Sequence, residues 1–160
     1  MEGTFVQETR PDPRITGRLV HRLFEVAQMG TAQAEVLAEE TLARRLLRPE
    51  ERAEVADADA VISGALRAWR SLRERADVQR LLAGGVCLHE VPFSLHDEAT
   101  SSIMRGTIDC LVQRPDGSVL VLELKTGTRR PEHERQLATY VTAARALFPG
   151  GQVSGTLLYS

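Results

Sequence analysis

The sequence predicts an α/β protein, a mixed sheet of about four strands flanked by helices, with an all-helical N-terminal segment. Three observations predict it. Up to about residue 83 the apolar residues recur at helical spacing. From residue 84 they come instead in short runs bounded by turn residues. The last three of those elements read strand, helix, strand, the order of a parallel crossover unit. The expectation is a single domain over residues 1–160, with residues 1–83 helical and residues 84–160 forming a β-β-β-α-β core.

Residues 1–14 carry Pro11 and Pro13 and read as an extended lead-in. From Ile15 a stripe of Leu19, Val20, Leu23, Phe24 and Ala27 predicts a first helix, stopped by Gly30. His21 lies one position from that stripe. Thr31 can cap a second helix to about Leu47, burying Val36, Leu37, Leu42, Leu46 and Leu47. Pro49 breaks it and opens a third, with Glu50 and Glu51 in its first turn. That helix is expected to run to about Arg73, with Val55, Val61, Ile62, Leu66 and Trp69 on one side. A short helical turn follows over Asp77–Leu82, ended by Gly84-Gly85.

Val86–Leu95 reads as a strand, and Pro92 assigns it to an edge or a bend. Pro115-Asp116-Gly117 separates two apolar runs, so Ile103–Gln113 and Ser118–Lys125 should form an antiparallel hairpin. Pro131 opens a helix to about Phe148, closed by Pro149-Gly150-Gly151, and Val153–Tyr159 is the last strand.

Composition sets limits on function. The chain is 42% hydrophobic and 26% charged, ordinary for a globular protein. The net charge of −2 shows no global basic footprint of a nucleic-acid binder, although a local Arg cluster could sit beside an acidic site. Cys87 and Cys110 are too few for an iron–sulfur cluster or a Cys-type zinc site, and read as buried thiols in strands. No stretch approaches the roughly 20 apolar residues of a membrane span. Met1-Glu2-Gly3-Thr4 has no signal-peptide pattern, so a cytoplasmic protein is expected.

The chemistry concentrates at Val119-Leu120-Val121-Leu122-Glu123-Leu124-Lys125. An unbroken apolar run predicts a strand covered on both faces. Glu123 and Lys125 then share a face at its end, and buried charges there must pair or serve a purpose. Lys125 is the only lysine, against 19 arginines. A compact ammonium able to give up a proton is something a guanidinium cannot replace. Asp109 lies in the partner strand and can reach Glu123 and Lys125 across the hairpin. With Glu90 on the first strand and His21 on the first helix, the donors are oxygens and one imidazole. That set suits Mg²⁺ or Mn²⁺ better than zinc. A hard cation beside an ammonium is what phosphodiester hydrolysis requires.

Asp109 followed by Glu123-Leu124-Lys125 resembles the signature of the PD-(D/E)xK nucleases. Further stretches are similar to the RecB-like branch, the C-terminal nuclease domain of bacterial helicase–nucleases of the AddA and RecB type. These are Gly17-Arg18-Leu19-Val20-His21, Glu90-Val91-Pro92-Phe93, Gly106-Thr107-Ile108-Asp109 and Gln136-Leu137-Ala138-Thr139-Tyr140. The resemblance runs from Gly17 to Tyr159. It implies a restriction-endonuclease-like core whose metal ligands are His21, Asp109, Glu123 and the Leu124 carbonyl. Lys125 would be catalytic, and Gln136 and Tyr140 would border the site and the DNA path. It also implies an Mg²⁺-dependent deoxyribonuclease, an exonuclease acting on single-stranded DNA ends in double-strand-break repair. A helicase domain or subunit would accompany it. This chain has no G-x-x-x-x-G-K-[S/T], so the motor would lie elsewhere.

Plainer roles exist for the same residues. Glu123 and Lys125 could be a strand-end ion pair, His21 could flank a core stripe, and Glu90 could be an edge-strand acid in solvent or a support for the site. Gln136 and Tyr140 share a helix face and could be structural. Arg129 and Arg130 could clamp phosphates or sit in a solvated loop. His89, His96 and His133 lack metal-ligand spacing, since a strand turns His89 and Glu90 to opposite faces. The alternatives at the level of function are a non-catalytic nucleic-acid-binding or scaffold module on the same fold, and a stand-alone relative of Cas4 nucleases without their cysteine cluster.

Overall fold

The computed structural model describes residues 11–28 and 38–160. The chain divides into two compact units, one up to Arg70 and one from Ser71. The first ten residues of the expected lead-in, the Gly30 stop, the Thr31 cap, Val36 and Leu37 lie outside the described residues.

In the first unit, α1 spans Pro13–Gln28. It starts earlier than the apolar stripe suggested because Asp12 caps it. The Asp12 carboxylate accepts from the Arg14 N–H at 2.9 Å and the Ile15 N–H at 3.2 Å, with Pro13 at the first helical position. Ile15, Leu19, Val20, Leu23 and Phe24 are buried. Helix α2 is Glu39–Leu46 and α3 is Pro49–Glu54. The third helix expected to reach Arg73 is broken: Val55 turns extended, and α4 begins afresh at Ala58 and runs to Glu74. Asp57 makes the restart, its carboxylate accepting from the Ala60 N–H at 2.9 Å. Val61, Ile62, Leu66 and Trp69 are buried as their spacing predicted, whereas Val55 sits in the break. Arg22 grips Glu51 with two hydrogen bonds of 2.6 and 2.7 Å and donates to the Leu46 carbonyl at 2.9 Å. That guanidinium holds the buried Glu51 carboxyl at about 2.

In the second unit, α5 (Ala76–Leu82) leads into a four-stranded sheet. Its strands are β1 (Val86–Asp97), β2 (Ser102–Gln113), β3 (Val119–Lys125) and β4 (Val153–Tyr159), in spatial order β1-β2-β3-β4. Pro92 is on an edge strand, where its missing N–H is tolerated. β1–β2 and β2–β3 are antiparallel and β3–β4 is parallel, the latter joined through α6 (Pro131–Leu147). The β2–β3 turn uses Gly117 at φ +81, while the Asp116 carboxylate accepts from the Ser118 N–H at 2.9 Å. Strand β3 is buried from Val119 through Leu124, as its unbroken apolar run required. Phe93, Ile108, Leu111, Val119, Val121, Leu137, Ala143 and Ala144 form the core of this unit. Gly155 lets α6 lie close on β4, since a Cβ there would meet Val141 at 2.6 Å and Leu137 at 2.9 Å. Among the described residues, no helix is long and apolar enough to cross a membrane.

Candidate active site

Register builds the site. The β2–β3 pairs run from Gln113↔Val119 to Cys110↔Leu122, so the ladder ends where Asp109 and Glu123 follow on their two strands. The Asp109 carboxylate accepts from the Leu124 N–H at 3.0 Å, which fixes it against the end of β3. On its other side Asp109 faces Glu90, because the β1–β2 register is the same before and after that position. Carboxylate oxygens of Glu90 and Asp109 lie within 4.8 Å. Glu90 has φ +50, a left-handed backbone rare for a side chain of its size. Such a conformation costs on the order of 1–3 kcal/mol and persists only where its surroundings impose it.

Glu123 is 1% exposed. The Lys125 ammonium donates to Glu123 Oε1 at 2.7 Å and to Gln136 Oε1 at 2.7 Å. Gln136 Nε2 in turn donates to the Tyr140 hydroxyl at 2.8 Å. Strand and helix are thus joined by one polar chain, Glu123–Lys125–Gln136–Tyr140. Gln136 and Tyr140 sit four residues apart on α6 and so present one face to the end of β3. Burial pushes the Tyr140 hydroxyl above its ordinary value, with the Gln136 hydrogen bond working against it.

Two residues that stood in the sequence only as members of motifs, with no role assigned, support this chain. Phe93 meets the Tyr140 ring edge-on, with centroids 5.6 Å apart and planes at 74°. Gly106 provides the clearance: a Cβ there would lie 2.7 Å from the Phe93 ring and 3.4 Å from Tyr140. A lone glycine within a strand pattern signals such a close approach, and that was the clue available. Residues from Glu90–Phe93, Gly106–Asp109 and Gln136–Tyr140 therefore interlock around one aromatic ring.

His21 is half-buried on α1 in the first unit. Leu124 is buried in β3 with its N–H on Asp109. Arg129 is exposed, pairs with Glu134 at 2.8 Å and lies 6.0 Å from the Tyr159 ring centroid. Arg130 is the exposed residue preceding α6. His133 bonds the Tyr159 hydroxyl at 2.9 Å.

Asp109, Glu123 and Glu90 offer carboxylate oxygens at neighbouring positions of one sheet end, the hard donors that a divalent cation such as Mg²⁺ takes. The closeness of Glu90 to Asp109 also sets like charges together, which a bound cation would relieve. The donor chemistry therefore fits a divalent metal.

Comparison with known proteins agrees with this chemistry. The family model described as the PD-(D/E)XK nuclease superfamily matches residues 2–160. No curated protein matches the chain. Among solved structures, the crystal structure of SSO0001 is similar at 16% identity and a TM-score of 0.41, covering 96% of this chain and 63% of its own. The chain thus spans less than two thirds of the length of that structure.

Proposed function

We propose that this chain, which belongs to the PD-(D/E)XK nuclease superfamily, hydrolyses DNA phosphodiesters at the Asp109–Glu123–Lys125 end of β3. Asp109, Glu123 and the Leu124 carbonyl would hold the divalent cation, Mg²⁺ or Mn²⁺. His21 is assigned as a further ligand on the Gly17–His21 motif alone. The cation supplies charge neutralisation at the phosphate and acidification of a water.

The protein's own residues do the rest. Lys125 has three donor hydrogens, of which Glu123 and Gln136 engage two. The third is left for a phosphate oxygen or the attacking water, where an ammonium offsets developing negative charge. Gln136 holds the ammonium in position, and Tyr140, packed on Phe93, holds Gln136. Glu90 supports Asp109 from the edge strand. Arg129 and Arg130, just past the site in sequence, are assigned to phosphate contacts along the DNA path.

The observation that carries this reading is the position of Lys125. The only lysine of the chain is held at 2.7 Å between a buried carboxylate and a helix glutamine, next to Asp109. The five motifs from Gly17 to Tyr140 favour the RecB-like branch. On that branch the activity is exonucleolytic on single-stranded ends, coupled to a helicase in double-strand-break repair.

Incubation of labelled single-stranded and duplex DNA with the protein, with Mg²⁺, with Mn²⁺ and with chelator, tests it. Metal-dependent cutting that Asp109→Ala abolishes is expected, with single strands preferred. Equal products from both proteins, or none from either on any substrate, would leave a binding module on a nuclease fold.

A further inference from the structure

A second group of ligand-type side chains lies in the same two strands and takes no part in the hydrolytic chemistry. Cys87 and His89 are two apart on β1, and Cys110 on β2 is paired with His89. The two sulfurs and one ring nitrogen of His89 all lie within 4.8 Å of one another. Cys110 is fully buried, and Cys87 and His89 are half-buried. Ligand atoms about 2.0–2.3 Å from a tetrahedral zinc are about 3.3–3.8 Å from each other, so only a small closing movement is required.

The donors differ in kind from those of the hydrolytic site. Asp109 and Cys110 are adjacent in β2 and therefore project to opposite faces of the sheet. One face offers hard carboxylate oxygens, the other two sulfurs and an imidazole, a soft set that selects zinc-like ions over magnesium. A disulfide fits less well. Cys87 is paired with Val112 and Cys110 with His89, which makes the thiols diagonal neighbours. Diagonal positions of an antiparallel pair are about 7–8 Å apart at Cα, beyond the usual 4.4–6.8 Å of a disulfide.

We propose that Cys87, His89 and Cys110 form a Cys₂His site for Zn²⁺, with its fourth position taken by water or an outside ligand. The ion would fasten edge strand β1 to β2 directly behind Glu90 and Asp109. The reduced pattern Cys-x-His on one strand and Cys on the next escapes a search for CxxC spacing, because the third ligand comes from register rather than from sequence distance.

Cobalt reports such a site. The full chain, reduced and freed of metal by chelator, is titrated with Co²⁺ and then with Zn²⁺. One equivalent of Co²⁺ should give sulfur-to-cobalt charge-transfer absorption, which one equivalent of Zn²⁺ removes. The band should persist in Asp109→Ala/Glu123→Ala, be lost in Cys87→Ser and weaken in His89→Ala. Absence of the band in the reduced protein, its survival in Cys87→Ser, or a Cys87–Cys110 disulfide in place of cobalt uptake overturns the proposal. Should Cys87→Ser fail to fold, alkylation of the wild-type thiols decides: Zn²⁺ slows it if the site exists, and an unchanged rate refutes it.

Discussion

Replacing Lys125 separates its charge from its shape. Its nitrogen is 2.7 Å from both Glu123 Oε1 and Gln136 Oε1, and the two ion-pair side chains are 17% and 2% exposed. Lys125→Met removes one partner of a buried pair, a loss of about 3–5 kcal/mol, with the lower end favoured because Lys125 keeps some solvent. Lys125→Arg keeps the charge, so its structural penalty is that of a bulkier side chain, about 1–3 kcal/mol. A planar guanidinium cannot place one nitrogen against both oxygens and still present a compact donor to the substrate. Both variants should therefore lose cleavage by about 10²–10³-fold, equivalent to about 2.7–4 kcal/mol of transition-state stabilisation. Urea melts and kcat/KM on single-stranded DNA at saturating Mg²⁺ read the two effects independently. Lys125→Arg within about threefold of wild type, a difference of under about 1 kcal/mol, would refute the inference that this position needs an ammonium.

Three further expectations follow from the same geometry. Gly106→Ala drives a methyl to 2.7 Å from the Phe93 ring and should destabilise the second unit by about 1–3 kcal/mol in a thermal melt; an unchanged melt would mean that Phe93 does not bear on Tyr140 as described. Gln136→Leu strips an acceptor from Lys125 and a donor from Tyr140, and should cut cleavage about tenfold or more while the fold persists; wild-type kinetics would make Gln136 merely structural. Glu51 titrates at about 2 when folded against 4.5 ordinarily. It therefore contributes up to about 3 kcal/mol above pH 4.5, lost as pH falls from about 4.5 towards 2. Urea stability of Glu51→Gln should be lower at neutral pH and flatter across that acid window, and parallel curves would contradict the Arg22 clamp.

The strands and the hairpin were legible because they rest on local chemistry: the turn at Pro115-Asp116-Gly117, the apolar run of β3, and Pro92 on an edge. The α3/α4 break was not, because the apolar spacing continues across Val55 and only the Asp57 carboxylate on the Ala60 N–H marks a new start. The early start of α1 was hidden for the same reason, in the cap made by Asp12. In the candidate site, Asp109, Glu123 and Lys125 could be aligned from strand period alone. The role of Gln136 as the second acceptor of Lys125 could not, since it depends on how α6 is laid over β3 and β4. Phe93 and Gly106 were visible only as motif letters until the Tyr140 ring gave them a reason. The grouping of His89 with Cys87 and Cys110 was not legible from spacing, because Cys110 is the partner of His89 in register and not its neighbour in sequence.

The central claim is that hydrolysis takes place where Asp109 and Glu123 meet Lys125. Single-turnover cleavage of an end-labelled DNA strand across an Mg²⁺ titration, by wild type and by Asp109→Asn/Glu123→Gln, tests it most directly. The account predicts metal-dependent cleavage by wild type and a loss of at least about 10³-fold in a variant that still melts cooperatively. Cleavage at the wild-type rate by that folded variant would contradict it.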